Sequence, residues 1–154
     1  AQAQTPRQAS GQAQAIVVQP GGITWGPAPE VLPKGARAAV LEGDPTKPGE
    51  FTLRLWMPAG YRIPPHYHPA VEHVTVISGT FLVGMGDRFD EGKLAALQPG
   101  AFGAIPIGMR HFAATREEVV IQLHGTGPWS LVYVNPADAP KQPARKPDDR
   151  AALR

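Results

Sequence analysis

Apolar and polar residues alternate at period two through most of the chain between residues 16 and 134. Phe51–Met57 puts Phe51, Leu53, Leu55 and Met57 on one face and Thr52, Arg54 and Trp56 on the other. Val119–His124 repeats the pattern, with Val119, Ile121 and Leu123 opposite Gln122 and His124. Shorter runs at Ile16–Gln19, Ala36–Glu42, Val71–Ser78, Phe81–Gly84, Lys93–Leu97, Ala101–Ile105, His111–Ala114 and Leu131–Val134 also read as strands. Turn chemistry separates them: Asp44-Pro-Thr-Lys-Pro-Gly49, Gln98-Pro-Gly100, Pro106-Ile-Gly108, Thr115-Arg-Glu-Glu118 and Gly125-Thr-Gly-Pro128. Gly79-Thr80 predicts a tight hairpin between its two flanking strands. No segment holds a long helical period. Many short strands at close spacing predict an all-β sandwich or barrel over residues 16–136. Residues 1–15 lack an apolar period and read as a disordered leader or arm. Residues 137–154 read as a Pro-rich, charged tail, with room for a short helix at Asp148–Leu153.

Composition narrows the function classes. A chain of 154 residues is about one domain, large enough to bury a core without staples. It has no cysteine, which excludes disulfides and thiolate ligands. The net charge of +2, spread along the chain, argues against a nucleic-acid partner. No apolar run reaches membrane-spanning length. The opening Ala-Gln-Ala-Gln, without Met, suggests a mature exported protein, hence a periplasmic or secreted location; a trimmed chain, with a cytoplasmic location, is the plainer alternative.

The chemistry lies in four residues, His66, His68, Glu72 and His111. His66 and His68 are two apart, so an extended backbone sends both imidazoles to the same face. Glu72 shares their parity if the segment stays extended. Pro64, Pro65 and Pro69 stiffen the approach. His111 follows the Pro106-Ile-Gly108 turn, and the fold must carry it to the others. Three imidazoles and a carboxylate suit one divalent transition metal ion per chain, Fe, Mn, Zn, Ni, Co or Cu, with coordination positions left open. The plainer alternative is hydrogen-bonded histidines at a barrel edge.

The spacing resembles a known family. Gly60 is followed by five residues, His66-x-His68, three residues, Glu72, six residues and Gly79. Gly100 is followed by five residues, Pro106-x-Gly108, two residues, His111, and three residues before Thr115. These segments resemble the two signature motifs of the cupin superfamily, with Thr115 where the pattern usually carries Asn. The resemblance implies a single-domain cupin jelly-roll β-barrel, with His66, His68, Glu72 and His111 as metal ligands inside its mouth. It also implies a homodimer. Cupins include dioxygenases, isomerases, lyases, decarboxylases, storage proteins and sensor domains, so it leaves the reaction open.

Other residues are candidates for a substrate pocket. Gln122 and His124 either enter the barrel mouth, with His124 as a catalytic acid/base, or face solvent. Arg54 and Trp56 either hold a planar anion or form an ordinary surface pair. Arg110 sits beside His111 as a rim charge. His73 has the parity opposite to Glu72 and should point away from the metal, and Tyr67 should pack. Phe81, Val83, Met85, Phe102, Phe112 and Trp129 read as core. The expected function is metal-dependent turnover of a small oxygenated molecule, dioxygenase-like, with Glu72 alternating between ligand and base. The alternatives are a non-redox isomerase or lyase, and a non-catalytic metal- or ligand-binding module.

Overall fold

The alternating runs build two antiparallel sheets. The structure, a computed structural model, describes residues 13–141. Residues 1–12 of the expected arm and most of the expected tail, with its short helix, lie outside the described residues. The strands are β1 (Gly26–Pro27), β2 (Arg37–Glu42), β3 (Gly49–Met57), β4 (Arg62–Tyr67), β5 (Glu72–Ser78), β6 (Phe81–Met85), β7 (Ala95–Leu97), β8 (Phe102–Ile105), β9 (His111–Ala114), β10 (Val119–Gly127) and β11 (Val132–Tyr133). One sheet runs β1-β2-β3-β10-β5-β8 and the other β11-β4-β9-β6-β7. This is the jelly-roll arrangement, and the all-β expectation holds.

The centre of the larger sheet is the β3–β10 pair, in unbroken register from Met57↔Val119 to Gly49↔Gly127. Its inward face carries Phe51, Leu53, Leu55, Met57, Val119, Ile121 and Leu123, all buried. Phe81, Val83 and Ala113 of the second sheet join the same core cluster. Period-two alternation is what lets one face of each strand enter this core.

Four expectations need correction. Ile16–Gln19 forms no strand: it runs extended without a sheet partner, and Ile16 and Val17 are 62% and 79% exposed. Gly79-Thr80 is not a hairpin, because β5 and β6 belong to different sheets. It is a corner between the sheets, where Gly79 has φ +72 and an added Cβ would lie 2.3 Å from the Glu118 carbonyl oxygen. Met85 and Phe102 are 47% and 59% exposed and lie outside the core. Arg62–Tyr67, not expected as a strand, is β4.

Candidate metal centre

The β4–β9 pair assembles the site. His66 lies directly opposite His111 in the ladder, after a register shift between Ile63 and His66. Pro64 and Pro65 occupy that shift, and neither has an N–H to give to a ladder. His68 follows the end of β4. Its carbonyl accepts from Gly108 N–H at 3.1 Å, which folds the Pro106-Ile-Gly108 turn onto it. The second motif thus acts as a clamp that sets His111 beside His68.

Glu72 arrives differently from the parity expectation. The chain bends at Pro69-Ala70, and Glu72 begins β5 in the other sheet. Its carboxylate therefore reaches the histidines from the opposite wall. Oε2 lies 3.2 Å from His111 Nε2 and 3.3 Å from His68 Nε2, with the side chain 11% exposed.

Each histidine is oriented by a backbone carbonyl. His66 Nδ1 lies 2.7 Å from Pro64 O, His68 Nδ1 2.7 Å from Ser130 O, and His111 Nδ1 2.9 Å from Met109 O. A carbonyl only accepts, so each Nδ1 carries the proton. In the neutral ring Nε2 is then a bare lone pair, which is the form that ligates a metal. One nitrogen from each ring falls within a common 4.8 Å. Trp129 stacks on His68 at 4.7 Å and 22° and holds that ring flat against the wall.

The electrostatics favour a cation at the centre. Burial, then the charge of His111, lowers the pKa of His66 to about 3, so its ring is neutral at ordinary pH. Burial raises the Glu72 carboxyl, but hydrogen bonding and charge from His111 and His68 outweigh it and hold the group well below the usual carboxylate range. Those bonds need protons on Nε2, and neutral rings donating through Nδ1 have none there. In that form the buried His68 Nε2 has no proton to give the carboxylate 3.3 Å away. Imidazolium protons or a metal ion resolve this convergence of lone pairs on a carboxylate, and the donor set fits a divalent transition metal. The three histidines can therefore hold a metal ion.

The space beside these nitrogens is about 20 Å³, room for roughly one water. Its walls beyond the four residues are apolar, among them Leu55, Ile63, Val83, Ile121 and Leu131.

The expected pocket residues are not brought to this centre. Arg54, Trp56, Gln122 and His124 lie on the outer face of the larger sheet, because Ile121 and Leu123 take the inward positions of β10. Arg54 Nε donates to Gln122 Oε1 at 3.0 Å, and Trp56 lies under the Arg37 guanidinium at 4.3 Å. His124 is exposed and stacks on His73 at 4.7 Å and 9°. The barrel-mouth placement of Gln122 and His124 gives way to the solvent-facing alternative. Arg110 lies over the Tyr67 ring at 5.7 Å. Two contributors escaped sequence reasoning, the Ser130 carbonyl and the stacking of Trp129. A carbonyl has no side-chain signature, and Trp129 reads as ordinary core.

Comparison with known proteins agrees with this fold. The chain is similar in fold to the polyketide cyclase RemF from Streptomyces resistomycificus, with TM-score 0.67 and 17% identity over 79% of this chain and 87% of that one. It is similar to a putative acetylacetone dioxygenase from Methylibium petroleiphilum PM1, with TM-score 0.62 and 19% identity over 88% and 91%. It is also similar to part of a complex of SigE with the anti-sigma ChrR from Rhodobacter sphaeroides, with TM-score 0.52 and 18% identity over 70% and 51%. No curated protein sequence matches the chain. The family model described as the ChrR cupin-like domain matches residues 13–130, which carry both histidine motifs and all of the barrel up to β11. The chain thus belongs to the ChrR cupin-like family of the cupins.

Proposed function

We propose that this cupin is a metal-dependent enzyme acting on a small oxygenated molecule, with dioxygenase-type chemistry as the leading reaction. The observation that carries this is the convergence of three Nδ1-anchored imidazoles and the Glu72 carboxylate on one buried point. His66, His68 and His111 would hold the ion through Nε2, and Glu72 through Oε2. A divalent ion bound there supplies Lewis acidity, and a redox-active one also supplies electrons to dioxygen. The chain's own residues do the rest. The carbonyls of Pro64, Ser130 and Met109 keep the rings aimed. The apolar wall excludes water, which strengthens every charge interaction inside. Among the described residues no other titratable side chain lines the cavity, so a proton taken from the substrate would go to the Glu72 carboxylate as it alternates between ligand and base.

A non-catalytic metal- or ligand-binding module is the second proposal. The position of His124 favours it, because among the described residues no acid or base beyond the ligands stands in the cavity.

The deciding measurement is metal content by plasma mass spectrometry on untagged protein from its native host, beside a His66→Ala/His111→Ala control. About one ion per chain is expected, lost in the control. Iron together with oxygen uptake on β-diketones or catechols would support the dioxygenase. Manganese, zinc or nickel without oxygen uptake would move the proposal to an isomerase or lyase. Folded native protein without metal would overturn the enzyme.

A further inference from the structure

The cavity at the histidines leaves room for roughly one water, about 20 Å³. A groove of about 470 Å³ runs beside it, between β7 and β8. These are the edge strands of the two sheets, so the groove lies where the barrel wall is not closed by a ladder. Its floor is Val74, Val83 and Ile105, and the same three residues form part of the wall of the histidine cavity. A septum of three apolar side chains is therefore what stands between groove and site. The two are also adjacent in register: Ile105 pairs with Glu72, and Met85, on the groove wall, pairs with His111. Among the described residues Lys93 is the one charge of the lining; the rest is apolar side chains and glycine backbone.

We infer that this groove is a binding site in its own right, beside the histidine centre, for a small apolar organic acid. Its ring or chain lies against Met85, Leu97 and Ala104, and its anionic group meets Lys93. A sugar or other polyhydroxylated molecule is a poor fit, because no side chain of the lining answers its hydroxyls. An apolar body against this lining gains by leaving water, and the one cation selects the anion. The inference goes beyond the proposed function and uses different residues.

The test is calorimetric titration of the full chain with 8-anilinonaphthalene-1-sulfonate, an apolar aromatic anion. One site per chain is expected. Ala95→Trp fills the groove from β7 and should weaken binding about tenfold or more. Ala96→Trp, on the opposite face of the same strand, should bind as wild type. Lys93→Met should weaken binding several-fold and flatten its dependence on salt. If Ala95→Trp loses its circular dichroism spectrum, Ala104→Trp makes the same test from β8. Absence of binding to wild type, or equal binding by both plugged variants and wild type, would overturn the groove. Metal content measured on the same samples separates the two ideas. Metal without dye binding removes the groove alone, and groove binding without metal removes the metal centre alone.

Discussion

Thr115 ties the histidine-bearing strands to the barrel, and removing its hydroxyl should cost more than its size suggests. It is buried and makes four hydrogen bonds, all to the loop joining β3 to β4. Its N–H donates to Tyr61 O at 2.9 Å, and its carbonyl accepts from Gly60 N–H at 3.0 Å. Its Oγ1 accepts from Tyr61 N–H at 3.0 Å and donates to Pro58 O at 2.6 Å. Thr115→Val keeps the shape, deletes both hydroxyl bonds, and leaves a buried N–H and a partly buried carbonyl unpaired. An unpaired buried polar group costs about 1–3 kcal/mol, so the pair should cost roughly 2–6 kcal/mol. Urea melts of metal-free protein at pH 8 read this directly, with the midpoint falling and the slope unchanged. Thr115→Ser keeps the hydroxyl and loses one methyl, about 1 kcal/mol. Thr115→Asn offers an amide oxygen and N–H₂ to the same two groups and should recover part of the loss. A Thr115→Val protein within about 0.5 kcal/mol of wild type, or a Ser variant as weak as the Val, would refute the reasoning.

Three further outcomes follow from the geometry. His66 has a folded pKa of about 3, below its ordinary 6.5, so the unfolded chain takes up a proton first as pH falls. Metal-free protein should hold its full stability above about pH 6.5 and lose it progressively towards pH 3, and urea melts of His66→Gln should show a shallower pH slope. Gly84→Ala places a Cβ 2.3–2.4 Å from the buried Phe112 ring, next to His111. It should cost about 1–3 kcal/mol in the same melts, with metal affinity falling if β9 shifts. Arg54→Ala and His124→Ala, on the outer sheet face, should leave metal content at the wild-type level in plasma mass spectrometry; metal loss in either would contradict their placement.

The division between sequence and tertiary structure can be followed residue by residue. Alternation in Phe51–Met57 and Val119–His124 sorted the side chains into two faces, because side-chain direction in a strand is a local property of period two. Paired motif spacing singled out His66, His68, Glu72 and His111, because a metal site needs particular donor types, and donor type is written in the side chain. Local sequence could not tell that Glu72 comes from the opposite sheet. Its parity with His66 and His68 is real, but the bend at Pro69-Ala70 turns the chain out of one sheet and into the other. Nor could it tell that Gly79-Thr80 turns between sheets, since a two-residue turn looks the same whether its strands pair or part. The inward or outward choice for Gln122 and His124 was undecidable for a related reason. Alternation sorts residues into two faces, and only packing against the second sheet decides which face meets the core. The groove between β7 and β8 lies furthest from the sequence, because it is made by the edges of two sheets that meet only when the barrel closes.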